Sequence, residues 1–138
     1  MRRMRTTGQI AKLFYEADSG TIIRKPNMRR FAKDNGVFYH ILSNTSWIID
    51  LDEFLEKVNP NNIDFHIEFP RLRNIATSVI LFNETYPEYD IDKHTVEKCM
   101  RSDSVTVIRH GNRWIINYDE LESEMLKYLS VKNKKCDK

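Results

Sequence analysis

The stretch Met28-Arg29-Arg30-Phe31-Ala32-Lys33 leads through Asn35-Gly36 into Val37-Phe38-Tyr39-His40-Ile41-Leu42. A polar Ser43-Asn44-Thr45-Ser46 follows, then Trp47-Ile48-Ile49-Asp50-Leu51-Asp52-Glu53-Phe54. This stretch decides the fold because it occurs twice. The second copy runs from Val96-Glu97-Lys98-Cys99-Met100-Arg101 through Val105-Thr106-Val107-Ile108 to a tip at His110-Gly111-Asn112. It closes with Arg113-Trp114-Ile115-Ile116-Asn117-Tyr118-Asp119-Glu120-Leu121. Upstream of the tips the copies are 68 positions apart, pairing Arg5 with Arg73, Thr6 with Asn74, Phe14 with Phe82 and Val37 with Val105. From the tryptophans onward the spacing is 67, pairing Trp47 with Trp114 and Asp52 with Asp119. One residue is therefore extra in the first copy, and the polar tip is where such an insertion is expected. A constant spacing over this length is the mark of an internal repeat.

Working outward, each copy reads as helix, helix, hairpin, helix. Thr6 or Thr7 can cap a first helix through Ile10, Ala11, Leu13 and Phe14. Asp18-Ser19-Gly20 ends it, and Ile22-Ile23 forms a short apolar anchor. The second helix starts near Pro26, with Met28, Phe31 and Ala32 inward and Arg29, Arg30 and Lys33 outward. Asn35-Gly36 stops it, Val37–Leu42 and Trp47–Ile49 form a hairpin, and Asp50 opens a third helix that Asn59-Pro60 ends. In the second copy Asn74 and Asp92 are the first two caps, and a longer last helix begins at Asn117 or Asp119 and frays from Val131. Ile63 to Phe69 alternates apolar and polar residues and reads as a half-buried strand. That strand would pack on one or both repeats, or pair with its copy in a homodimer. The expected organisation is a first repeat over 1–58, a connecting strand segment over 59–73, a second repeat over 74–131 and a basic tail over 132–138.

The 138 residues suffice for one domain or two small ones, and 41% hydrophobic with 30% charged residues excludes a disordered chain. No apolar run approaches a membrane span, and no apolar signal core follows the basic Met1–Arg5. Two cysteines, Cys99 and Cys136, make neither a disulfide framework nor a metal pattern. Cys99 falls on an apolar helix face and is expected in the core. The expectation is a cytoplasmic protein without a membrane partner. Charge is uneven: residues 1–58 carry ten Lys/Arg against seven Asp/Glu, whereas 74–131 carry six against ten.

Several features resemble the winged helix of excisionases and mercury-resistance-type (MerR-like) regulators. Thr95-Val96 stands in the second helix, Gly111-Asn112-Arg113-Trp114 in the wing, and Asp119-Glu120-Leu121 at the start of the closing helix. Asn27-Met28, Ser46-Trp47 and Asp52 to Phe54 are the first repeat's weaker equivalents. The first wing lacks the Gly and Arg, and the segment Glu16–Lys25 is longer than the family's tight turn. The resemblance implies an α+β fold of two tandem winged helix-turn-helix repeats. It also implies double-stranded DNA binding, with the second helix in the major groove and the wing on the adjacent backbone. Members act as transcription regulators or as directionality factors in DNA recombination.

Residue chemistry agrees for the first repeat. Arg24, Lys25, Arg29, Arg30 and Lys33 cluster within ten residues. Arginine pairs bidentately with guanine, and Asn27 can read adenine. Ser43, Asn44 and Thr45 at the tip suit phosphate. In the second repeat Lys93, His94, Lys98 and Arg101 are expected outside on the helix, with Arg109, Asn112 and Arg113 on the wing. Glu97 replaces Arg29 and would repel phosphate. Two readings stay open for this repeat, a weak DNA reader and a module for protein contact. The alternative for the whole chain is a winged-helix adaptor that does not bind DNA. Trp47 and Trp114 are expected as core pillars. His40, His66, His94 and His110 lack ligand spacing, so no metal or other cofactor is expected. With no phosphate loop and no paired acid and base, an enzyme is not expected.

Overall fold

The computed structural model describes residues 3–44, 46–60, 69–110 and 113–136; the side chains at 26, 27, 109, 110, 113 and 132–136 lie outside that description. The fold is mixed α+β, with six helices and two three-stranded antiparallel sheets among the described residues. The first half runs β1 (Met4–Thr6), α1 (Thr7–Ala17), α2 (Lys25–Asn35), β2 (Tyr39–Ser43), β3 (Ser46–Asp50) and α3 (Leu51–Val58). The second repeats that order as β4 (Leu72–Arg73), α4 (Ile75–Thr85), α5 (Lys93–Cys99), β5 (Val107–His110), β6 (Arg113–Asn117) and α6 (Tyr118–Cys136). The sheet orders correspond, β1-β3-β2 and β4-β6-β5.

Individual hydrogen bonds repeat with the sequence. Thr6 accepts from Gln9 N–H and caps α1, and Asn74 accepts from Thr77 N–H and caps α4; each cap contributes about 1 kcal/mol. Glu53 accepts from Phe38 N–H at 2.6 Å, and its counterpart Glu120 accepts from Thr106 N–H at 2.7 Å. Arg3 pairs with Asp52 and Arg71 with Asp119. Strand pairs correspond as well: Arg5 faces Ile49 and Arg73 faces Ile116, while Ile41 faces Trp47 and Arg109 faces Trp114.

The extra residue of the first copy is not carried in the tip itself. The register of the first hairpin shifts between Ile41 and Ser43, so Leu42 has no counterpart. A bulge absorbs one residue without breaking the rest of the ladder. The short strands β1 and β4 were not expected from sequence. Each is too brief to show alternation, and β4 lies in the segment read as connecting. Of the expected strand Ile63–Phe69, residues 63–68 lie outside the described residues. Phe69 itself packs edge-on against Phe14 at 5.4 Å. The expected fraying from Val131 gives way to helix up to Cys136.

The first core gathers Ile10, Phe14, Met28, Phe31, Ile49 and Phe54. It also takes in Leu72 and Ile115 from the second half. The second core gathers Phe82, Val96, Cys99, Ile116, Tyr118 and Met125. Ile115 and Ile116 thus point to opposite cores, and the sheet β4-β6-β5 is buried on both faces. Period-two geometry sends adjacent strand residues to opposite faces, and here each face meets a core. Burial pushes the Cys99 thiol up to about 11, with Glu124 adding to the effect, so it acts as a core side chain.

Three polar contacts lock the seam between the halves. Ile22 N–H donates to Leu72 O at 3.2 Å. Both Arg73 terminal nitrogens grip the Asp18 carboxylate, with Nη2 to Oδ1 at 2.9 Å. The two side chains are only 7% and 12% exposed. Burial alone would raise the Asp18 carboxyl, but the Arg73 hydrogen bond and charge hold it below its ordinary value. Gly20 is required beside this pair, because a Cβ there would lie 2.6 Å from Arg73 Nη2. Finally, Asn117 Nδ2 donates to Val58 O at 2.9 Å, while its Oδ1 accepts from Glu120 N–H at the start of α6.

Candidate nucleic-acid interface

Helix α2 buries Met28, Phe31 and Ala32, as the i, i+3, i+4 spacing requires. Pro26 sits in its first turn, and Gly36 ends it at φ 68° in the left-handed region that glycine favours. The opposite face carries the basic residues, and they differ in what they do. Arg30 is exposed and pairs with Asp34 one turn on, at 3.4 Å. Lys25 is exposed at the start of the helix. Arg29 is half-buried: its Nη1 donates to Asn44 O at 3.1 Å, and its guanidinium lies 5.3 Å from the Trp47 ring centre. Lys33 approaches the same ring at 5.2 Å. Tyr39 stacks on Trp47 with ring centres 4.7 Å apart and planes 15° from parallel.

These contacts form a brace between α2 and the hairpin. Two cations on one helix face sit over one indole, each worth about 0.5–1 kcal/mol at an exposed site. Trp47 is buried as expected, but as the base of this brace outside the main aliphatic core. The brace also brings the tip, Ser43 and Asn44, beside the basic helix face. Both are exposed, and Ser43 pairs with Ser46 across the hairpin. Thr45 and the Asn27 side chain lie outside the described residues. Arg24 turns away from its neighbours: its Nη1 donates to Thr21 O and to Ile23 O, the latter at 3.1 Å. Sequence reading missed Tyr39 and the brace. The available signal was the i, i+4 spacing of Arg29 and Lys33 opposite a hairpin tryptophan.

The second repeat arranges the matching face differently. Lys93 pairs with Glu97 at 3.7 Å, and Lys98 lies 5.0 Å over the Tyr128 ring of α6. His94 is exposed. Arg101 was expected on the outer face of the helix, but α5 ends at Cys99 and Arg101 is exposed in the turn beyond it. Ser102 explains the early stop: its N–H bonds Cys99 O, its carbonyl takes Val105 N–H, and its hydroxyl accepts from Ser104 N–H at 3.2 Å. Serine offers the backbone this alternative to helix. Arg109 and Arg113 have backbone places in β5 and β6, whereas their side chains and all of Asn112 lie outside the described residues. Trp114, expected as a core pillar, is 38% exposed against 7% for Trp47. Trp114 and the cation Arg101 stand at the places of Trp47 and Lys33, but Val107 and Glu97 replace Tyr39 and Arg29, so the brace is not repeated in full.

Among the described residues no cluster of His, Cys, Asp or Glu could hold a metal ion. No described helix is long and apolar enough to cross a membrane. Known protein families, curated proteins and solved structures provide no match to this chain.

Proposed function

We propose that the chain is a sequence-specific double-stranded DNA-binding protein built from two tandem winged helix-turn-helix units. It would serve as a transcription regulator or as a directionality factor in recombination. Support for the winged-helix reading is the order helix, helix, hairpin, helix, present in both halves with one sheet order. The observation that carries the DNA reading is the brace, which ties the helix that bears exposed Lys25 and Arg30 to the hairpin and its tip. In this reading α2 enters the major groove, Arg30 reaches base edges, and Lys25, Ser43 and Asn44 hold phosphates. Arg29 and Lys33 keep helix and wing at a fixed spacing.

A second reading concerns the second repeat alone, as a surface for a protein partner. It is favoured by Glu97 at the position of Arg29 and by Lys98 turned onto Tyr128.

Fluorescence anisotropy with random duplex, titrated with salt, tests both readings. Each neutralised phosphate contributes about −0.9 to the log–log slope of affinity against salt. Arg30→Ala should weaken binding to a selected site by roughly 1–3 kcal/mol if it reads a base. Lys98→Ala should leave the slope unchanged. Salt-independent or undetectable binding of duplex would end the DNA reading, and a larger loss from Lys98→Ala than from Arg30→Ala would reverse the assignment of the repeats.

A further inference from the structure

The seam between the halves is not filled everywhere. A cavity of about 290 Å³ remains between the α1–α2 connector, α2 and the second sheet. Its apolar walls are Ile22, Met28, Phe31, Trp114 and Ile115. The connector that forms one wall is the same Glu16–Lys25 segment whose length departs from a tight turn. At the matching place in the second repeat, Tyr86 and Tyr89 replace Asp18 and Thr21 and pack against Phe82 at 4.8 and 6.2 Å.

Polar side chains at the wall are Thr21, Arg24, Asn74 and Thr77, and the Thr21 and Thr77 hydroxyls already accept from Ile23 N–H and Asn74 N–H. Asn74 Oδ1 accepts from Thr77 N–H at 2.8 Å, which fixes the amide orientation. No hydrogen bond to a described residue uses Asn74 Nδ2. Arg24 has Nη1 held by two carbonyls of the connector, which leaves Nε and Nη2 in a fixed position for another acceptor. A guanidinium held in place this way suits a carboxylate, which accepts two parallel N–H bonds.

We propose that this cavity binds a small planar aromatic carboxylate, its ring between Met28, Phe31 and Ile115 and its carboxylate on Arg24 and Asn74. An apolar cavity of about 150 Å³ accepts benzene, so the larger space here suits a fused bicyclic ring. Arg24 is thereby assigned to the seam rather than to the DNA-facing surface. The site stands whether or not the chain binds DNA, because every group it uses belongs to the seam.

Calorimetry of the whole chain with indole-3-carboxylate and with indole-3-carboxamide tests this without DNA. The carboxylate should bind one to one, and the carboxamide more weakly. Asn74→Asp keeps an α4 cap acceptor but places a carboxylate where the donor was. It should raise the Kd for the carboxylate at least about tenfold, the loss of one charge-assisted bond, with an unchanged melting temperature. Arg24→Gln, at an exposed position, should weaken the carboxylate and leave the carboxamide unaffected. Amide shifts on binding should centre on Ile22 and Ile115. Absence of saturable binding up to about 1 mM, carboxamide binding as tightly as carboxylate, or equal affinity in wild type and both variants would each overturn the site.

Discussion

Ile48 and Ile115 hold the same place in the two repeats, each between a tryptophan and a second isoleucine. Ile48 lies on a sheet face that is only half-buried, whereas Ile115 is 7% exposed inside the core of the other repeat. The same holds one strand away. Met4 is half-buried and its counterpart Leu72 is fully buried; Arg5 donates to its neighbour Met4 O, and Arg73 grips Asp18 across the seam. The second repeat has seated one sheet face on the first, whereas the matching face of the first repeat, at Ile48 and Met4, is only half-buried. The contact is not repeated at the far end. Helix α3 ends at Val58, whose carbonyl Asn117 takes up, while α6 runs on past the corresponding Met125 to Cys136 and lays Leu129 into its own core. Two units of one plan thus acquire different roles, one as receiver and one as insert, through a few residues at the seam.

The strongest way to break this comparison is to separate the units. Residues 1–60 alone would lack Leu72 and Ile115 from their core, two large apolar side chains worth about 1.5–3 kcal/mol each. Against a total stability of about 5–15 kcal/mol, this piece should show no cooperative melt by circular dichroism. A sharp transition near that of the whole chain would mean that the seam is dispensable.

A smaller effect is expected at the ion pair. Asp18→Ala leaves Arg73 buried without its partner and should cost about 3–5 kcal/mol in urea unfolding. Arg5→Ala, at the position matching Arg73, should cost under about 1 kcal/mol, as exposed or half-exposed side chains do. The pH dependence sharpens the point. The Asp18 carboxyl is held below its ordinary value in the folded state. Its contribution is therefore full above the unfolded value of about 3.9 and is lost as pH falls through the lower folded value. The gap in melting temperature between wild type and Asp18→Asn should narrow below about pH 4; a gap that widens there would contradict the assignment.

The smallest difference should come from the helix caps. Asp50 and Asn117 both cap a following helix, but only an amide can also donate to Val58 O. Asn117→Asp keeps the cap and turns that donor into an acceptor facing a buried carbonyl. The cost should be about 1–3 kcal/mol. Asp50→Asn, which keeps a good cap and leaves no donor facing a carbonyl unmade, should cost less than Asn117→Asp. Equal losses at the two sites would show that capping alone decides both.

Much of the fold was legible because it depends on local chemistry. Thr6, Asn74, Asp50 and Asp92 announce helix starts by their side-chain acceptors, and Gly36 announces a stop by its φ. The outward face of α2 followed from the i, i+3, i+4 spacing of Met28, Phe31 and Ala32. The early end of α5 was not legible, since the helical spacing of Val96, Cys99 and Met100 continues past it while Ser102 takes the backbone into a turn. Arg24 and Arg29 could not be told apart from Arg30 by sequence, because all three stand in one basic cluster and differ only in which carbonyls and rings lie within reach.

The amino-acid sequence by itself determined the repeat, the order of helices and hairpins, the caps and the basic outer face of α2, since each rests on residue type and on spacing within one element. Tertiary structure alone decided the fate of the repeated Trp-Ile-Ile motif. A strand with apolar residues on both faces can bury one face or two, and the choice depends on what packs against it. Leu72, Arg73 and Asn117 found polar partners far along the chain, Arg73 at Asp18 55 residues away and Asn117 at Val58 59 residues away, and Ile115 found the first core. Contacts at that separation are set by shape and burial, which no local periodicity records.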